Sequence, residues 1–238
     1  MTYDEYVATL RAEAEAFAAA ATDAPLDRHV PSCPEWTVAD LARHLGIHHR
    51  WVTANVGRPP ADGPASLADR ASPPEGAALV GWIPEGADAL ARHLERTGPA
   101  APSWTWTGDQ TAAFWARRTA IETSIHRWDV ENAVGAPAGF APPVAADAID
   151  EFLSIMPVRV AGVGGTIHLH TTDTEGEWLV RLDDGGAHVT REHAKGDVAL
   201  RGPASELLLV VLGRRTPSSV DRFGDDALCA RWLESARF

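Results

Sequence analysis

Glu122 and His126 stand four residues apart in the run Arg118-Thr-Ala-Ile-Glu-Thr-Ser-Ile-His-Arg-Trp-Asp-Val-Glu-Asn-Ala133. On a helix that spacing puts both side chains on one face, one turn apart. Asp129 and Ala133 continue the stripe, and Ile121, Ile125, Trp128 and Val130 flank it, so the helix should be buried around it. A carboxylate facing a core is costly unless it is hydrogen-bonded, paired or bound to a cation. A second run, Leu41 to Val52, brings His44 and His48 onto another inward face. Two imidazoles and one carboxylate form a common zinc donor set that leaves a fourth position open for water or substrate. The same donors suit ferrous iron, nickel or copper. Asp129 suits two tasks: holding a ligating imidazole by its other nitrogen, or pairing near a helix end. A metal-free reading also stands, with His44, Glu122 and His126 as a buried hydrogen-bonded network.

The elements that must position these groups are helical. Tyr6, Val7, Leu10, Ala14 and Phe17 recur at helical spacing over residues 3–21. Three prolines between residues 23 and 36 argue against a regular element there. Thr37 and Asp40 then approximate a capping box, opening a helix that runs to about Val56. Residues 58–74 read as a surface loop, and a third helix spans roughly 75–96 with Pro84 inside its pattern. A loop carrying Trp104 and Trp106 follows, two aromatics read as exposed or gate-forming. Thr107 and Gln110 resemble another box at the start of the fourth helix, which ends at Gly135. Four amphipathic helices over about 135 residues predict a four-helix bundle, whose sites are built from inward side chains on facing helices.

Beyond a Gly/Pro-rich linker at 135–143 the texture changes. A helix at about 144–157 precedes β-type alternation at 166–172, 177–182, 188–191 and 197–201, with a hairpin turn at Asp183–Gly186. Helices at 203–212 and 227–235 complete a small α+β domain with an antiparallel sheet. The expected organisation is thus a mainly α domain at 1–136 and an α+β domain at 144–238. His168 and His170 alternate onto one strand face, which reads as solvent-facing although imidazoles at i,i+2 can bind metal. Gly162-Val-Gly-Gly165 precedes a strand instead of following one, unlike a dinucleotide fingerprint. Cys33 reads as an incidental thiol, and Ser205 lacks the setting of a nucleophile.

Composition bounds the partners. The 238 residues carry 21 basic and 33 acidic side chains, a formal charge of −12, which argues against nucleic acid or an anionic membrane. No apolar run of about 18 residues and no basic leader pattern occur, so a cytoplasmic protein is expected. Two distant cysteines make no disulfide framework.

The runs Cys33-Pro-Glu-Trp-Thr-Val-Ala-Asp-Leu-Ala-Arg-His44-Leu and Arg118-Thr-Ala-Ile-Glu122-Thr-Ser-Ile-His126-Arg-Trp-Asp-Val-Glu resemble the mycothiol-dependent maleylpyruvate isomerase family. The stretch from Val198 to Arg215 is similar to that family's C-terminal domain. The resemblance implies a DinB-like metal-binding bundle followed by a domain akin to sterol-carrier proteins. It implies zinc ligands at His44, Glu122 and His126, and mycothiol as thiol cosubstrate. His48 then faces the thiol or substrate, or supports a ligand. Arg214, with Arg215 second, would supply the cation for an acidic substrate; otherwise the two answer the dipole of a helix C-terminus. Ile121 departs from the family pattern, where histidine commonly precedes the glutamate. The implied activity is isomerisation or conjugation of a small electrophile. The alternative is a non-catalytic metal-containing bundle with a ligand- or partner-binding second domain.

Overall fold

The computed structural model describes residues 1–66, 72–155 and 162–235, and the chain divides into two compact units, Met1–Ala138 and Gly139–Phe238. The first unit is helical. In α1 (Tyr3–Thr22) the Thr2 hydroxyl and the Glu5 carboxylate cap each other's backbone N–H groups. A short hairpin, β1 (His29–Val30) and β2 (Cys33–Thr37), leads into α2 (Val38–Asn55). This hairpin corrects the expectation of an irregular segment: Pro31 occupies its turn, and Pro34 lies on a two-stranded ribbon where both strands are edges. The Thr37–Asp40 box forms as the spacing predicts, with Asp40 N–H on Thr37 Oγ1 at 3.2 Å and Thr37 N–H on Asp40 Oδ2 at 3.0 Å.

Two further helices complete the bundle, α3 (Ala78–Thr97), with Pro84 inside it, and α4 (Ala112–Ala133). Both α1 and α2 pack against α3 and α4. Leu10, Phe17, Leu41, Leu45, Leu79, Ile83, Leu90, Leu94 and Trp115 fill the shared core. The expected box at Thr107 does not open α4. Its N-cap is Thr111, without a side-chain cap bond, and Gln110 instead spends its amide on the Thr105 carbonyl at 2.9 Å, closing the preceding loop. In that loop Trp106 is exposed and Trp104 half-buried. The surface loop expected at 58–74 includes a 3-10 turn at Pro60–Asp62, and its residues 67–71 lie outside the described residues.

The second unit opens with α5 (Pro142–Ile155); the last two residues expected for that helix lie outside the described residues. Then come β3 (Gly165–Thr171), β4 (Glu177–Asp183), β5 (Gly186–Thr190), β6 (Val198–Gly202), α6 (Ala204–Val211), β7 (Asp221–Gly224) and α7 (Asp226–Ser235). The strands lie in the order β5-β4-β3-β6-β7. Three of the four pairings are antiparallel, as expected, and β3 with β6 is parallel. The sequence reading misses β7, whose four residues are all exposed and so show no alternation. One sheet face carries Ile167, Leu169, Trp178, Val180, Val198 and Leu200, all fully buried. The other presents His168, His170, Glu177 and Arg181. The chain therefore couples a mainly α bundle with an α+β unit, and among the described residues no helix is long and apolar enough to cross a membrane.

Close packing around α2 yields a stability test. A Cβ on Gly46 would fall 2.3 Å from Trp82 Cε3 and 3.2 Å from Ile83 Cδ1. The Arg50 guanidinium lies 3.8 Å from the Trp82 ring centroid and restricts its escape. Overpacking costs about 1–3 kcal/mol and outweighs the helix-propensity gain of up to about 1 kcal/mol. Gly46→Ala should therefore lower the urea midpoint; an unchanged or raised midpoint would mean that Trp82 swings aside freely.

Candidate metal centre

Two helices and a hairpin build the site in the first unit. α4 is buried almost all round, so its polar residues must find partners inside the fold. Thr123 and Ser124 return their hydroxyls to the carbonyls of Thr119 and Ala120, at 2.7 and 2.8 Å. Arg127 pairs with Glu13 at 2.7 Å and Glu131 at 2.8 Å. Glu122 is the centre of the remaining group. Its Oε1 lies 3.1 Å from His44 Nε2 on α2 and 3.3 Å from His126 Nε2 one turn along α4. Its Oε2 accepts a charge-assisted hydrogen bond from Arg118, one turn the other way.

His126 is held from behind. Its Nδ1 lies 2.8 Å from Asp129 Oδ2, and Asp129 Oδ1 accepts from the Ser32 hydroxyl of the β1–β2 turn at 2.6 Å. The Asp129 side chain is 0% exposed. Burial alone would favour neutral His126, but Asp129 and Glu122 outweigh it and hold the imidazolium with a pKa of about 9. For Glu122 burial likewise opposes charge, and Arg118 with the two histidines overcomes it, keeping the carboxyl well below its usual range. Trp36, from β2, walls the site, its ring 4.9 Å from His44 and 6.3 Å from His126.

The donor atoms of His44, Glu122 and His126 all lie within 4.8 Å of one another. The set fits a divalent cation: two imidazole nitrogens and a carboxylate oxygen converge, and a carboxylate behind His126 Nδ1 leaves Nε2 as the ligating nitrogen. His48, one turn beyond His44, stacks near-parallel at 6.3 Å, and its Nε2 is covered without a hydrogen-bond partner among the described residues. Burial pushes its pKa down to about 3, so it is neutral at pH 7. His49 points elsewhere. Its Nε2 lies 3.0 Å from Thr123 Oγ1, and since that hydroxyl donates to Thr119, His49 is the donor.

Other sequence candidates fall differently. Arg214 and Arg215 follow α6, their N–H groups on the Leu209 carbonyl at 2.8 and 3.1 Å, and Arg215 lies 3.4 Å from Glu206. Ser205 Oγ accepts from Phe140 N–H at 3.0 Å, anchoring the entry to α5. Gly162 and Gly164, before β3, and Gly165, its first residue, adopt positive φ. Cys33 and Cys229 lie in separate units. The reading of His168 and His170 as solvent-facing fails for His168, which is 7% exposed, because the segment after β5 folds back and brings the His193 ring to 5.6 Å. Arg118 and Ser32 contact the candidate site, Glu122 and Asp129 respectively, and the sequence reading missed both. The i,i+4 spacing of Arg118 with Glu122 was the available signal for the first; Ser32 had none, since its partner is 97 residues away.

The mycothiol maleylpyruvate isomerase N-terminal domain model matches residues 7–131, and the C-terminal domain model of the same enzyme matches residues 143–231. Among solved structures, the mycothiol-dependent maleylpyruvate isomerase is 17% identical with a TM-score of 0.66, and a histidine-to-alanine mutant of it is 16% identical with a TM-score of 0.64. In both comparisons 93% of this chain and 93% of the other are covered. No curated protein matches the sequence significantly.

The Asp129 contact has a direct spectroscopic consequence. In metal-stripped protein, His126 should titrate near pH 9 by imidazole NMR. Asp129→Asn removes the anion behind Nδ1 and should bring that titration down towards the ordinary histidine range of about 6.5. A titration unmoved by the substitution would mean that Glu122 alone holds the proton.

Proposed function

Because the chain belongs to the mycothiol maleylpyruvate isomerase family, we propose that it is a divalent-metal enzyme, with zinc as the metal, acting with a small thiol such as mycothiol on an acidic electrophile of the maleylpyruvate type. The observation that carries this reading is the convergence of His44, Glu122 and His126 within 4.8 Å, with Asp129 behind His126. His44 Nε2, Glu122 Oε1 and His126 Nε2 would hold the ion. When bound, it supplies the positive charge that makes a thiol of pKa about 8.5 acidic at neutral pH.

The protein's own residues then have separate tasks. Arg118 keeps Glu122 anionic, so the carboxylate presents Oε1 without first losing a proton. Asp129 fixes the ring orientation of His126. His48 contributes a neutral imidazole beside His44, able to exchange a hydrogen bond with thiol or substrate without bringing charge. The thiolate adds to the carbon–carbon double bond conjugated with the substrate carbonyl. Rotation about the resulting single bond and expulsion of the thiolate give the isomer, so the thiol is not consumed. Conjugation differs only in its end: the adduct takes up a proton and leaves with the thiol attached. Arg214 is proposed as the cation for the substrate carboxylate on the family resemblance alone.

Two measurements test the reading. Glu122→Ala should lower bound zinc by about one ion per chain relative to the wild type, because the open three-donor site loses its only anion. Equal metal in the two proteins would sink the metal reading. With mycothiol and maleylpyruvate, turnover should be lost on chelation and in Glu122→Ala; thiol consumed in step with product would identify conjugation, and thiol unchanged, isomerisation. Arg214→Ala should reduce kcat/KM by about 10- to 100-fold for a carboxylate substrate, the worth of one charge-assisted hydrogen bond, with metal content intact.

A further inference from the structure

A second cluster of imidazoles lies on the polar face of the sheet in the α+β unit. β3 carries His168 and His170 two residues apart, which places them on one side of the strand. Glu177 of β4 is the register partner of His170 and so shares that side. His193, in the segment between β5 and β6, folds back over them. His170 Nδ1 and His193 Nδ1 both lie 2.9 Å from Glu177 Oε1. The His168 ring is 6.0 Å from His170 and 5.6 Å from His193. Donor atoms of all four residues fall within 4.8 Å of one another.

His168 supplies the independent observation. It is 7% exposed, and its Nε2 is buried with no hydrogen-bond partner among the described residues. A buried imidazole nitrogen without a partner is costly, and here the residue that carries it belongs to a donor set already gathered around a carboxylate. Burial is graded across the group, from covered His168 to His193, whose side chain is 78% exposed. A cavity of about 430 Å³ lined by His170, Glu177 and His193 gives an entry path. Arg201, the register partner of His170 on β6, is paired with Asp221 at 3.4 Å.

We propose that His168, His170, Glu177 and His193 form a second divalent-metal site, a closed zinc site that clips the segment after β5 onto β3 and β4. Zinc–nitrogen bonds of about 2.0–2.1 Å put neighbouring donors of a tetrahedron about 3.4 Å apart. The four donors already lie within 4.8 Å of one another, close to that spacing. Four protein ligands leave no open position, so this ion is structural, unlike the three-donor centre of the bundle. The proposal does not depend on the bundle's activity or on its metal.

The test uses untagged full-length Glu122→Ala protein, in which the bundle centre lacks its carboxylate, stripped of metal and titrated with zinc by calorimetry. One ion per chain is expected, with a Kd below about 1 μM, and zinc should raise the melting temperature. Even residues that only support a ligand cost about 10- to 100-fold in metal affinity, so His168→Ala or His193→Ala should weaken binding by about 100-fold or more and abolish the thermal shift. His193 is exposed enough that its removal should leave folding intact. Cobalt in place of zinc should give the visible spectrum of a four-coordinate nitrogen–oxygen site, lost in the same variants. Absence of zinc binding in Glu122→Ala, or binding unchanged by both histidine substitutions, overturns the proposal.

Discussion

Glu122 is a carboxylate inside a helix bundle, and the arrangement of the first unit around it answers the cost of putting it there. A lone buried carboxylate would simply take up a proton. Here Arg118 occupies one of its oxygens, and His44 and His126 approach the other. Those contacts hold the charge against burial, and they also aim a negative oxygen at the point where two imidazole nitrogens meet. The interaction that stabilises the ionised residue therefore has the geometry a cation needs. Removing one member leaves the others uncompensated in a covered site, which is why such groups are costly to break singly.

The surrounding elements extend this logic outward. Asp129 is fully buried and is itself satisfied by Ser32 from the hairpin that precedes α2. Trp36 from the same hairpin covers His44. A segment that contributes little regular structure thus closes the site on one side, while α2 and α4 provide the donors. In the second unit the same side-chain chemistry arises from a different period. Alternation along β3, and register with β4, gather imidazoles and a carboxylate that a helix would collect at every fourth residue.

Much of this was legible in the sequence because it rests on local periodicity. The i,i+4 relation of Glu122 and His126 and the Thr37 cap each need only a few neighbouring residues to be read, and each falls where its spacing indicates. On α2 the expected inward stripe is shifted: His49 is the fully buried imidazole, while the His44 side chain is 36% exposed beside Glu122. What escaped depends on distant pairing. Ser32 acquires its partner only when the hairpin folds onto α4. His168 is covered only because a segment some 25 residues later returns across its strand. The capping signal at Thr107 misled for a related reason: Gln110 found closer acceptors in its own loop. β7 was missed because a fully exposed strand carries no burial pattern to detect.

The bond between His49 and Thr123 has a further consequence for how α2 and α4 fit together. Along an apolar seam, one helix can slide past another by a turn, about 5.4 Å, with little loss of contact. A buried imidazole that donates to a hydroxyl on the opposing helix loses that acceptor in any displaced alignment. It serves as a register pin, in the way a lone polar residue fixes the alignment of a coiled coil. Because His44 lies on α2 and Glu122 on α4, the precision with which the donors meet is inherited from a contact that touches neither of them.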